Sequence, residues 1–261
     1  MVSGRVSLPV RSFGQTKRPD AWWVYPVLTF IGLSTFVIYS TWAAFQGKDY
    51  TYGPYLSPFY SPVLFGDPAH AWFGDRPSWW PGWLVFSPAL LILWAPAGFR
   101  FTCYYYRGAY YKAFWMDPPS CTVGEPRKDY RGEQKLPLIL QNVHRYFMYV
   151  ACLFLVFLTY DAIMAFWYQG RFHIGVGSFV LVINVILLGG YTLGCHSFRH
   201  LIGGCRDEIS KSPLLHKAYN CSSCLNRRHM TWAWASLFWV GFSDLYVRLC
   251  AQGVWTDWRI V

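Results

Sequence analysis

Long apolar segments separated by short polar connections dominate this sequence. Five of them are long enough to cross a hydrocarbon core about 30 Å thick, which takes roughly 17–25 helical residues. They lie near residues 22–45, 83–99, 138–168, 174–202 and 232–251. Pro88 and Pro96 interrupt the second segment, so we expect a kinked or tilted helix there. The pattern predicts an all-α integral membrane protein, a five-transmembrane-helix bundle that forms one membrane domain over residues 1–261.

The composition agrees with a membrane location. Hydrophobic residues make up 54% of the 261 residues and charged residues only 14%, whereas soluble domains carry about 25% charged residues. The first 20 residues contain no apolar run, so we predict no cleavable signal peptide. The net charge of +10 does not indicate nucleic-acid binding, because the basic residues sit between the apolar segments rather than along one face.

The distribution of Lys and Arg predicts the orientation in the membrane. Eighteen of these residues fall in the N-terminal tail, the second connection and the fourth connection, and five fall in the remaining parts of the chain. Positive charge accumulates on the cytoplasmic side. The N-terminus is therefore predicted to be cytoplasmic and the C-terminus external, in a multi-pass protein of the cell membrane.

The connections are short and differ in character. The predicted external loop Gly47–Gly82 is rich in Tyr, Trp and Pro, which favours an aromatic layer at the membrane surface over a binding role. The cytoplasmic loop Phe101–Lys135 is too short for a catalytic domain. A few residues around Gly170 join the third and fourth segments, which predicts an antiparallel helical hairpin.

A group of His and Cys residues follows the fourth segment. Four of the eight cysteines and four of the seven histidines lie within 35 residues: Cys195, His196, His200, Cys205, His216, Cys221, Cys224 and His229. His196 and His200 are four residues apart, so on a helix they share one face and can chelate one metal. Cys221 and Cys224 form a C-x-x-C pair whose thiolates can reach the same metal. The spacing predicts a metal site in the cytoplasmic loop 203–231.

Residue types alone leave the metal open. Two imidazoles and two thiolates satisfy a tetrahedral zinc ion, or a [2Fe–2S] cluster with the histidines on one iron and the cysteines on the other. The spacing departs from that of soluble Rieske proteins, in which each of two loops supplies one Cys and one His. A thiol–disulfide pair is a further reading of C-x-x-C. A single bis-histidine haem that uses His144 is another alternative, whereas a two-haem ladder lacks histidines on the outer side.

Three ionisable residues fall in the predicted outer half of the membrane: Asp161, Asp244 and Arg248. Asp244 and Arg248 are four residues apart, so an ion pair is the simplest interpretation. Charged groups within a membrane are also candidates for a functional site.

At these residues the chain resembles a known family. The segments GCHSFRHLIGG, CSSCLNRRH and SLFWVGFSDLYVRLC are similar to the cytochrome b-like, SdhC-type membrane anchor of actinobacterial (mycobacterial-type) succinate dehydrogenase, respiratory complex II. The distinctive motifs lie in the last third of the chain, while length and helix layout agree throughout.

The resemblance implies a specific function. It implies a membrane anchor with a Rieske-type [2Fe–2S] cluster and no haem, bound on its cytoplasmic face to a flavoprotein with FAD and to an iron–sulfur subunit. Electrons from succinate would pass through the cluster to menaquinone. His196, His200, Cys221 and Cys224 are the ligands we predict, with His229 and Cys205 as replacements. No residue is predicted to be catalytic, and the quinone-binding residues stay unassigned. The competing functions are a membrane scaffold with structural zinc and a mono-haem anchor.

Overall fold

A computed structural model describes residues 14–66, 70–117, 123–124, 138–204 and 206–260. Its residues group into two compact units. Unit 1 draws its described residues from Met1–Thr35 and Thr102–Gln141, and unit 2 from Phe36–Phe101 and Asn142–Val261. The α-helices are α1 Val24–Gln46, α2 Pro88–Ile92, α3 Trp94–Phe101, α4 Tyr104–Phe114, α5 His144–Met164, α6 Val176–Leu193, α7 His196–Gly203, α8 Pro213–Arg227 and α9 His229–Ala251.

Three described helical segments are long and apolar enough to cross a membrane. They are Val24–Gln46, Ile139–Met164, which includes part of the 3₁₀ helix Leu138–Val143, and Val176–Leu193. α9 has 23 residues, about 34 Å at 1.5 Å per residue, but it carries the charged residues Asp244 and Arg248. The all-α membrane character is confirmed, while the count of five spans and the positions of the termini stay predictions.

The second predicted segment is broken, as its two prolines indicated. No helix is present from Trp83 to Ser87, and α2 begins at Pro88, a position where the missing N–H of proline costs nothing. α2 and α3 are separated only by Leu93. Pro96 lies four residues after Ile92 and cannot donate to its carbonyl, which accounts for the break.

The hairpin between the third and fourth segments is confirmed. α5 and α6 are joined by two short antiparallel strands, β3 Trp167–Tyr168 and β4 Arg171–Phe172. The two turn residues Gln169 and Gly170 both have positive φ, 51° and 76°. That pair of conformations matches the turn that the twist of a two-residue hairpin requires.

The fourth predicted helix is shorter than expected. α6 ends at Leu193, and Cys195 is extended, with φ −66° and ψ 142°, before α7 begins at His196. A Cβ on Gly194 would lie only 3.0 Å from the Cβ of Leu225. Glycine at this position therefore permits the close approach of α8.

The predicted loop 203–231 is largely helical, which corrects the sequence-based expectation. It contains the 3₁₀ helix Ile209–Lys211 and all of α8. Ser222 Oγ donates to Leu193 O at 2.8 Å, and Asn226 Nδ2 donates to Gly194 O at 2.8 Å. The last carbonyls of a helix have no partner within the helix, so α8 is held in place by satisfying those of α6.

The aromatic loop before α2 is part of the core of unit 2 rather than only a surface layer. A short hairpin pairs β1 Thr51–Tyr52 with β2 Tyr55–Leu56. Tyr50 and Tyr60 stack with ring centroids 4.3 Å apart, and both pack with Phe59 against α1 and α9. Trp72, Phe73, Trp79 and Trp83 of the same region are exposed, which agrees with an aromatic membrane surface.

A buried ion pair joins this loop to α1 and α9, as the spacing of Asp244 and Arg248 predicted. Arg248 Nε and Nη2 each lie 3.3 Å from the Asp244 carboxylate. Tyr39 donates to the same carboxylate at 2.6 Å, Ser57 donates to it as well, and Arg248 Nη1 donates to Lys48 O at 2.9 Å. Asp244 and Arg248 are 0% and 2% exposed, so the pair is sealed from solvent and extensively hydrogen-bonded.

A second buried polar group lies where α6 begins. Asp257 accepts hydrogen bonds from Tyr246 at 2.6 Å, from Tyr55 at 2.9 Å and from the backbone N–H of Gly177 at 2.9 Å. A carboxylate is favoured at a helix N-terminus. Burial raises the pKa of Tyr55, so this phenol stays protonated and donates. His173 Nε2 lies 3.0 Å from the same phenol oxygen.

Unit 1 contains α4 and the first part of α1. Phe30 and Phe114 pack with ring centroids 4.9 Å apart. Gln141 donates to Tyr110 at 3.0 Å, and Arg107 lies over the Tyr104 ring at 4.1 Å.

We predict that Asp244→Ala destabilises the chain by about 3–5 kcal/mol, because it leaves the Arg248 guanidinium buried without its counter-charge. Asp161→Asn is the matched control. Asp161 accepts from Ser61, and an amide oxygen preserves that bond. The measurement is thermal unfolding of the full chain in detergent. Equal unfolding temperatures for the two variants would show that the ion pair does not hold the outer loop.

Candidate functional site

The predicted metal ligands lie on two neighbouring short helices. His196 and His200 are on α7, Cys221 and Cys224 are on α8, and all four side chains are exposed. Among the residues that the structure describes, no group of three or more His, Cys, Asp or Glu side chains could hold a metal ion. Cys205 lies outside the described residues. The arrangement therefore does not support the predicted [2Fe–2S] or zinc site.

The physical reason lies in how α8 packs. Ser222 and Asn226, four residues apart, form the face of α8 that caps α6. Cys221 and Cys224 are three residues apart on another face and point to solvent. On α7, His200 Nδ1 is instead 3.1 Å from Arg145 Nη2.

A buried thiol and imidazole meet nearby, in unit 2. His144 Nε2 lies 3.1 Å from Cys195 Sγ, and the two residues are 8% and 2% exposed. Cys195 is buried because it occupies the extended step between α6 and α7. In the sequence, Cys195 belongs to the His/Cys group and His144 is a candidate haem ligand. The two residues are too far apart in the chain for a spacing motif to link them.

Aromatic rings connect this pair to His229. Phe99 stacks on His144 with centroids 4.8 Å apart, and it contacts Tyr191 at 5.2 Å. Tyr191 stacks in turn on His229 at 5.0 Å. Of the predicted ligands that the structure describes, the half-buried His229 is the one that contacts these rings.

Arg100 lies beside the same rings. Its Nη1 donates to Ala233 O at 3.2 Å, and its Nη2 donates to Ser236 Oγ at 3.0 Å. The guanidinium carbon is 4.7 Å from the centroid of the Tyr191 ring. From the sequence alone, Arg100 is one of the many basic residues that indicate topology.

A cavity of about 370 Å³ adjoins these residues within unit 2. Its walls come from α1, α2, α3, α5, α6 and α9 and are mainly apolar, with lining residues that include Phe36, Phe45, Phe59, Leu93, Trp94, Phe99, Arg100, Phe154, Leu188, Tyr191 and Val240. Phe45 and Trp94 are 45% and 61% exposed. The cavity therefore reaches the outside of the helices at these two lining side chains.

Exposure predicts which cysteines react. In the full chain purified in detergent, we expect N-ethylmaleimide to modify Cys221 and Cys224 readily and Cys195 only after unfolding, because reagent access limits a buried thiol. Mass spectrometry of the labelled peptides gives the extent of reaction at each position. Protection of Cys221 and Cys224 that is lost on chelation would contradict the exposed arrangement and support a metal held by these residues.

Comparisons with known proteins agree with this geometry. The family described as actinobacterial succinate dehydrogenase subunit SdhC matches residues 24–253. A chain of the Mycobacterium smegmatis Sdh1 complex in the apo form is 43% identical, with a TM-score of 0.87, over 99% of this chain and 97% of that chain. No curated protein matches. These findings confirm the resemblance read from the sequence: the chain belongs to the actinobacterial succinate dehydrogenase subunit SdhC family.

Proposed function

We propose that this chain is the membrane anchor and electron-transfer subunit of a succinate:quinone oxidoreductase in the cell membrane. Family membership and the likeness to a chain of the Sdh1 complex support this assignment. Succinate is oxidised on a flavoprotein partner that holds FAD, and an iron–sulfur partner carries the electrons to this chain. Both partners dock on the cytoplasmic face, where most Lys and Arg residues are predicted to lie. The electrons leave on menaquinone.

The apolar cavity is the observation that carries the quinone part of the proposal. Its volume of about 370 Å³ falls within the range of roughly 300–1,000 Å³ that is usual for small-molecule sites. A naphthoquinone is a flat apolar ring with two carbonyl acceptors, and such ligands bind in apolar pockets with a few polar groups. The exposed lining residues Phe45 and Trp94 suit a ligand that arrives from the lipid with an isoprenoid tail.

Reduction of the quinone requires this chain mainly to bind the quinone ring. A quinone becomes a quinol by taking up two electrons and two protons, one proton on each carbonyl oxygen. The electrons come from the iron–sulfur partner, and the two protons come from the solvent. The cavity walls position the ring, and no residue of this chain is assigned a catalytic role.

The [2Fe–2S] cluster stays a prediction that rests on the family resemblance. Such a cluster needs four ligands, two His and two Cys in a Rieske-type centre. His144 and Cys195 supply one of each in contact, and His229 lies one stacked ring away. Among the residues that the structure describes, no group of three or more such side chains comes together to hold a metal.

Filling the cavity tests the quinone site. Leu188 lines the cavity, and Leu188→Trp should lower the succinate:quinone activity of the whole complex about tenfold or more, since about 1.4 kcal/mol of lost binding is sufficient. Ile186→Trp is the control, because Ile186 is on the same helix but 58% exposed. Succinate-dependent reduction of a soluble dye should be unchanged in both variants. Equal quinone activity in the two variants would place the quinone elsewhere.

Spectroscopy tests the metal centre of the purified complex. If the complex holds the Rieske-type cluster that the resemblance implies, its reduced-state EPR signal should be lost in Cys195→Ser and retained in Cys224→Ser, because Cys195 is the buried thiol beside an imidazole. The opposite result would support the ligands predicted from spacing. Stoichiometric zinc without additional iron would favour the scaffold function, and a Soret band would favour the mono-haem anchor.

A further inference from the structure

One charged side chain reaches the wall of the cavity. Of the described residues that line it, Arg100 alone carries a charge, and no Asp or Glu is among them. A charge in an apolar wall costs free energy unless the protein stabilises it, so such residues are candidates for a functional role.

Two residues of α9, Ala233 and Ser236, accept hydrogen bonds from Arg100. Ser236 and Ala233 are fully buried and three residues apart on that helix. Ser236 Oγ donates to Ala233 O at 3.3 Å and accepts from Arg100 Nη2, while Ala233 O also accepts from Arg100 Nη1. Together with the Tyr191 ring beneath it, these contacts fix the direction of the planar guanidinium.

A positively charged group that is fixed in an apolar wall can stabilise negative charge on a bound ligand. Electrostatic interactions are stronger there than in water, because the surroundings have a low effective dielectric constant. Each carbonyl oxygen of a quinone accepts hydrogen bonds and gains negative charge as electrons arrive. Donors that are already oriented toward developing charge stabilise it without reorganisation.

We propose that Arg100 binds a carbonyl oxygen of the quinone headgroup at the end of the cavity formed by Phe99 and Tyr191, and that Ser236 is the residue that positions Arg100. The isoprenoid tail then lies along the apolar wall toward Phe36 and Phe45. The assignment rests on the proposed function, since it names the headgroup end of that same cavity.

The test compares three variants of the whole complex: Arg100→Gln, Arg100→Lys and Ser236→Ala. Arg100→Gln should raise the KM for a short-chain naphthoquinone about tenfold or more, as expected for a lost hydrogen bond to a charged group. Arg100→Lys should recover part of that loss, because the charge remains while the planar fork is absent. Ser236→Ala should raise KM by a smaller factor and change kcat little.

Arg171→Gln is the control for loss of one positive charge, since Arg171 is exposed on the β3–β4 hairpin. Succinate-dependent dye reduction checks that the partner subunits remain assembled. An unchanged KM in Arg100→Gln and Ser236→Ala, with the quinone activity of Leu188→Trp still lowered, would overturn the role of Arg100 while the cavity assignment stands. If Leu188→Trp is also active, the proposed quinone site itself fails. A phospholipid that copurifies with the complex and is lost in Arg100→Gln, without a change in KM, would assign Arg100 to a lipid headgroup and overturn the proposal.

Discussion

A polar group inside a membrane has to find its partner within the protein, because lipid offers none. In this chain the buried Asp244–Arg248 ion pair of α9 finds its partners within unit 2 in this way. Two charges that would each be expensive in hydrocarbon neutralise one another and are hydrogen-bonded by Tyr39, Ser57 and Lys48 O. Tyr39 belongs to α1, and Lys48 and Ser57 belong to the aromatic loop. The ion pair therefore fixes the position of Tyr39 and of this loop against α9.

The same helix organises the other end of the cavity. Ser236, Val240, Asp244 and Arg248 are spaced four residues apart, so they form one stripe along α9. Ser236 holds Arg100, Val240 lines the cavity, and the charged residues hold the loop. One helix face therefore combines the support of the outer loop with the wall of the proposed quinone site. Any rotation of α9 would disturb both at once.

Local features of the sequence predicted local features of the structure. The apolar segments gave α1, α5 and α6, the residues around Gly170 gave the hairpin, and the four-residue spacing gave the Asp244–Arg248 pair. α8 could not be predicted, because it is stabilised by capping carbonyls of α6 rather than by its own apolar pattern. The C-x-x-C spacing indicates two thiols on one short segment but not the direction in which they face. In the structure both are exposed, and the ligand set drawn from that spacing stays a prediction. Cys195, His144 and Arg100 come together from three separate segments, so no spacing motif marks them.

The carboxylate of Asp257 links the start of α6 to the loop residue Tyr55 and to Tyr246 of α9. Asp257 comes later in the chain than all of the described helices. During biosynthesis, α6 is made before Asp257, the residue that accepts the hydrogen bond of its Gly177 amide. This contact at the N-terminus of α6 can therefore form only after α9 has been synthesised.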